Sequence, residues 1–144
     1  MKPILNEKYG LYRFQGYSMY PMLHPGDRLV VEKEPCSPLR PGDVVLVKPG
    51  PSFGSGFTAH RIIQVDAQCR FVTKGDNLVR PDPGLKGPED ILGRVTAVIR
   101  KNRFKSLRKG LYGRFGKAMA RYSRRNLTPG LILSRLKGLK GLLG

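Results

Sequence analysis

Turn chemistry constrains this chain more than any other feature. Pro25-Gly26, Pro41-Gly42, Pro49-Gly50-Pro51 and Pro81-Asp82-Pro83-Gly84 break it at short intervals. Proline removes a backbone donor and glycine opens left-handed backbone, so long regular elements cannot run through such points. Between them lie residues 11–17, 28–33, 43–48, 57–66, 70–73 and 91–99, rich in Val, Ile, Phe, Tyr and Leu. These read as six short strands. In the fourth, period-two alternation places Thr58, His60, Ile62 and Gln64 on one face. Six short strands between tight turns predict a mainly β fold, a small barrel or coiled sheet. Residues 49–56 read as a flexible hairpin tip.

Charge divides the 144-residue chain in two. Residues 1–99 carry 13 Lys and Arg against 10 Asp and Glu, whereas residues 100–144 carry 14 Lys and Arg and no acid. A nearly balanced domain over 1–99 and a basic extension over 100–144 are expected. In the extension Leu111, Phe115, Met119 and Tyr122 recur at helical spacing, and after residues 126–130 Ile132, Leu136, Leu139 and Leu143 repeat the pattern. Such basic amphipathic segments suit an anionic membrane surface. Packing of the apolar stripe on the core is the competing expectation, and nucleic acid is a third.

The chemistry-bearing residues stand in the first 99. Ser18 lies in Gly16-Tyr17-Ser18-Met19-Tyr20-Pro21-Met22-Leu23-His24-Pro25-Gly26-Asp27, His60 in Thr58-Ala59-His60-Arg61, Asp76 in Lys74-Gly75-Asp76-Asn77, and Asp82 between Pro81 and Pro83. A hydroxyl becomes nucleophilic at ordinary pH when a base takes its proton and an acid orients the base. Histidine suits the base role because its unperturbed pKa lies near neutrality. There are two histidines. His24, six residues from Ser18, is the rival base, but its expected role is that of an exposed turn residue.

These segments resemble, in order and character, the type I signal peptidase superfamily, whose catalytic fold is shared with LexA-type self-cleaving repressors. The resemblance spans residues 12–99. It rests on Ser18-Met19-Tyr20-Pro21, on Gly42-Asp43-Val44-Val45, on the His60 segment, on Gly75-Asp76-Asn77 and on Asp90-Ile91-Leu92-Gly93-Arg94-Val95. It implies a serine endopeptidase of the histidine-base branch, with Ser18 as nucleophile, His60 as general base and Asp82 as triad acid. Asp76 would shape its loop and support the site from behind. Two positions depart from the pattern. Gly16 stands where many relatives carry a second serine that helps stabilise the oxyanion, leaving backbone N–H groups, that of Ser18 among them. Met22 replaces a usual Ser or Thr and bears on packing.

Relatives normally carry a membrane anchor before the nucleophile. Here residues 1–17 precede Ser18 and include Lys2, Glu7, Lys8 and Arg13, too short and too charged for a spanning helix of about 20 residues or a cleavable signal peptide. A cytoplasmic or peripheral membrane location is therefore expected. Cys36 and Cys69 do not make a disulfide framework and read as free thiols. No metal-ligand spacing or phosphate-binding glycine loop appears, so neither cofactor nor metal is expected. The leading reading is an endopeptidase removing a leader or pro-segment from a protein or peptide. The alternatives are a catalytically silent protease-like binding module and a basic nucleic-acid-binding protein.

Overall fold

The apolar runs pair into one antiparallel sheet of seven strands. The computed structural model describes residues 7–35, 37–50, 56–108 and 110–124. The strands are β1 (Tyr9–Arg13), β2 (Arg28–Glu32), β3 (Val44–Val47), β4 (Thr58–Val65), β5 (Phe71–Lys74), β6 (Ile91–Arg100) and β7 (Arg103–Ser106), followed by the helix α1 (Gly110–Arg124). The described residues are mainly β, as the turn punctuation predicts, with one short α-helix after the strands. Among the described residues no helix is long and apolar enough to cross a membrane.

Hydrogen-bonded order runs β1-β2-β6-β3-β4-β5, with β7 also on β6. The ten-residue β6 organises the sheet: its first half pairs with β3, its second half with β7, and β2 runs along its other side. Register shifts between Val30 and Val31, Leu46 and Val47, and Ile62 and Gln64 insert bulges into three pairings. Each bulge bends and twists its strand. The curled sheet buries apolar side chains on two faces. Val44 and Leu46 join Met19, Leu23, Leu29, Val31 and Val98 in one cluster, while Val45 and Val47 join Ile62, Phe71 and Ile91 in the other. Coverage on both sides is why β3 reads as an unbroken apolar run.

The sheet does not stop at residue 99. Arg100 ends β6 and clamps Asp27 through Nε at 2.8 Å and Nη2 at 2.7 Å. Lys101 and Asn102, at φ 49° and 62°, then turn the chain back into β7. This is a two-residue hairpin with both central residues at positive φ, and without an Asn-Gly pair it left no strand signal in the sequence.

Helix α1 forms where the spacing predicts one. Gly116 and Ala120 are buried against β4 and the loop before β3, whereas Phe115 is exposed and Met119 half-buried. The approach is close enough that a Cβ at position 116 would lie 2.7 Å from Arg61 Nη1 and 2.9 Å from the Gly42 carbonyl oxygen. Among the described side chains of α1, the small residues Gly116 and Ala120 are the buried ones. The side chains of Leu111 and Tyr122, the segment holding Ile132, Leu136, Leu139 and Leu143, and the tip at residues 51–55 lie outside the described residues.

Candidate active site

Strand β4 carries His60 and Arg61 side by side, and both are buried. Consecutive residues on a strand face opposite sides, and these two go to different carboxylates. His60 Nδ1 meets Asp82 Oδ2 at 2.6 Å. The same oxygen accepts the Thr73 hydroxyl, also at 2.6 Å. Asp82 owes its position to β5: its backbone N–H donates to the Thr73 carbonyl at 2.8 Å, extending the strand pairing past the flanking prolines. With Nδ1 engaged by a carboxylate, proton exchange with a hydroxyl would pass through Nε2.

Asp76 turns to Arg61 instead. Its two oxygens take Arg61 Nε at 2.8 Å and Nη2 at 2.7 Å, with both side chains 3% exposed. Arg61 Nη1 also donates to the Gly42 carbonyl at 2.7 Å, under the helix. The reason for this pair lies across the strands, where Arg61 is directly opposite Lys74. Two buried cations facing one another repel, and Asp76 compensates both. Burial holds the Lys74 ammonium below its usual pKa, while the charges of Asp76 and Asp82 oppose that shift. Asp76 and Asp82 thus serve different partners.

Ser18 is fastened to the loop that carries Asp76. Its carbonyl accepts the Asn77 N–H at 2.8 Å, Asn77 Nδ2 donates to the Tyr17 carbonyl at 3.0 Å, and the Asp76 N–H meets Met19 Sδ at 3.3 Å. Gly75 is required at this junction, because a Cβ there would lie 2.7 Å from the Ser18 carbonyl oxygen. Residues 17–19 are thereby zipped to residues 75–77, at the end of β5 and beside the His60 segment. The structure brings His60 and Asp82 into contact and ties Ser18 to the loop that follows β5. Catalytic hydrogen bonds often tighten only when substrate is bound.

The remaining sequence candidates are accounted for locally. His24 stacks on Tyr20, ring centroids 5.0 Å apart, and its backbone N–H caps Asp27. Burial works against ionisation of Asp27, but Arg100 and that N–H outweigh it and hold the carboxyl below its usual range. Met22 is buried in the core. Gly16 adopts φ 87°, a conformation that side chains rarely take, with open space where a Cβ would point. Cys69 is an exposed free thiol, and Cys36 lies outside the described residues. Among the described residues no cluster of three His, Cys, Asp or Glu could hold a metal.

The sequence reading missed Thr73, Arg61 and Lys74. An arginine and a lysine inside apolar strands are a visible anomaly, but the Arg61↔Lys74 register that explains them exists only in the folded sheet. Comparisons with protein-family models, with curated proteins and with solved structures find no match to this chain.

Proposed function

We propose that this chain is a serine endopeptidase that removes a leader or pro-segment from a protein or peptide. The observation that carries the reading is the 2.6 Å contact from His60 Nδ1 to an Asp82 oxygen that Thr73 also holds, beside a serine fastened to the adjoining loop. On this reading Ser18 Oγ attacks the scissile carbonyl as its proton passes to His60 Nε2, and the negative charge of Asp82 stabilises the imidazolium. The tetrahedral oxyanion takes backbone N–H groups, including that of Ser18. Collapse returns the proton from His60 to the leaving amine and leaves an acyl group on Ser18. Water, activated by the same imidazole, then attacks the ester and frees the enzyme. The attack requires a hydrogen bond from Ser18 Oγ to His60 Nε2, which bound substrate would align.

Exposed apolar side chains flank the nucleophile: Tyr17 and Tyr20 on its own segment, Leu78 and Val79 on the loop bonded to it. They supply a surface against which an extended peptide can lie. A fluorophosphonate probe tests the reading. It should label wild-type protein at Ser18, located by peptide mass spectrometry, and labelling should fall by at least about 100-fold in H60A, since the members act as a unit. Equal labelling of wild type and S18A, or none of wild type, would remove the peptidase reading in favour of a binding module.

A further inference from the structure

The covered side of Arg61 opens into a feature that the peptidase reading does not use. A cleft of about 860 Å³ lies between α1, the loop before β3 and the residues after β7. Its floor is Arg94, 1% exposed, whose Nη atoms reach Ser37 Oγ at 2.8 Å and the carboxylates of Glu32 at 3.3 Å and Asp43 at 3.4 Å. Its Nε is buried with no hydrogen-bond partner. Around the rim stand Arg40, Arg108, Arg114, Lys117 and Arg121, all exposed. The three on α1 follow i, i+3, i+7 spacing and so share one helix face.

These rim charges are uncompensated. Asp43 is the one carboxylate lining the cleft, and it already serves Arg94 and the Arg40 backbone N–H. The other paired acids are committed elsewhere: Asp27 to Arg100, Asp66 to Arg70, Asp76 to Arg61 and Asp82 to His60. No ion pair among the described residues reaches the five rim cations. Because Gly116 and Ala120 seat α1 closely, its cationic face is pressed toward Arg40 and Arg108. That arrangement is unfavourable until an anion enters it.

We propose that this cleft binds a ligand carrying clustered phosphate groups. Its volume lies in the range of small-ligand sites. Four of the five rim cations are arginines, whose planar forks match phosphate oxygens two at a time. Several uncompensated charges call for a multiply charged anion, and a phosphate group supplies close to two charges and three acceptor oxygens. The cleft lies on the Arg61 side of β4, so the inference does not depend on the role of Ser18 and His60.

The test uses the full chain, inorganic pyrophosphate and vesicles of phosphatidylglycerol or phosphatidylcholine. Calorimetry should detect pyrophosphate binding that the triple variant R40Q/R114Q/R121Q weakens at least about 10-fold, a loss of about 1.4 kcal/mol. The tail variant R135Q/K137Q/K140Q removes the same charge and should change binding less than about 2-fold. The substituted cleft residues are exposed, and circular dichroism with the single variant R121Q guards against misfolding. The same pattern with phosphatidylglycerol vesicles and no response to pyrophosphate assigns the phosphates to a lipid headgroup. The proposal is overturned if neither probe binds, or if cleft and tail variants lose affinity alike. It is also overturned if duplex DNA displaces pyrophosphate at equal phosphate and its own binding is lost in R40Q/R114Q/R121Q, which would make the cleft a nucleic-acid surface.

Discussion

Replacing Asp76 with asparagine should unfold this protein more than it disables its chemistry, and replacing Asp82 should do the reverse. Asp76 and Arg61 are a bidentate pair at 2.7 and 2.8 Å with 3% of each side chain exposed. Asp76→Asn leaves the guanidinium buried without its counter-charge and exposes it to Lys74 across the strand. Breaking such a pair costs about 3–5 kcal/mol. A domain of this size loses roughly 4 °C in Tm per kcal/mol, so Tm should fall by about 12–20 °C. The double variant R61Q/D76N, which removes both charges, should regain more than half of that loss. The Asp82 side chain is 7% exposed, but among the described residues no guanidinium pairs with it, and an asparagine oxygen can still accept from Thr73. Asp82→Asn should therefore shift Tm by less than about 4 °C, while turnover on a cleavable peptide falls by about 10⁴-fold as the amide favours the wrong imidazole tautomer. Differential scanning fluorimetry and peptide hydrolysis, both well below the variant Tm, separate the two effects. If D76N keeps its Tm but loses turnover while D82N melts early, the carboxylates have been assigned to the wrong partners.

Two further outcomes follow from local geometry. Gly16→Ser, which would supply the second serine that many signal peptidases carry, should not raise peptide turnover, because φ at 16 is 87° and a side chain there costs about 1 kcal/mol; a several-fold gain in kcat would refute this. Asp27 ionises more readily in the folded than in the unfolded chain. Its contribution is thus complete above the unfolded carboxyl pKa and disappears as pH falls through the lowered folded value. Acid titration of stability should show a loss below about pH 4 that is smaller in R100Q, and identical acid profiles for wild type and R100Q would contradict it.

What the chain determines locally could be read from it directly. Proline and glycine turns cut it into short β-rich runs, and five of the six became strands within about a residue of their expected bounds, because turn residues act through their own backbone; the first lies earlier, at Tyr9–Arg13. The helical period of residues 111–125 marked α1 for the same reason. Ser18, His60 and Asp82 stood out as residue types with a shared chemistry, and the fold joins two of them by a hydrogen bond. Other features depend on pairing over distance. A cation inside each of two apolar strands stands out, but no local pattern says that Arg61 will face Lys74, so the duty of Asp76 toward both was not visible. The turn Lys101-Asn102 became a hairpin only because β6 offered an edge, and β7 followed. The close seat of α1 depends on Gly116 meeting Gly42, a contact between residues 74 positions apart. The cationic cleft belongs wholly to this second kind: Arg40, Arg108, Arg114, Lys117 and Arg121 are ordinary surface charges in the sequence. Tertiary packing alone sets them around one cavity, and it does so after the nearby carboxylates have found other partners.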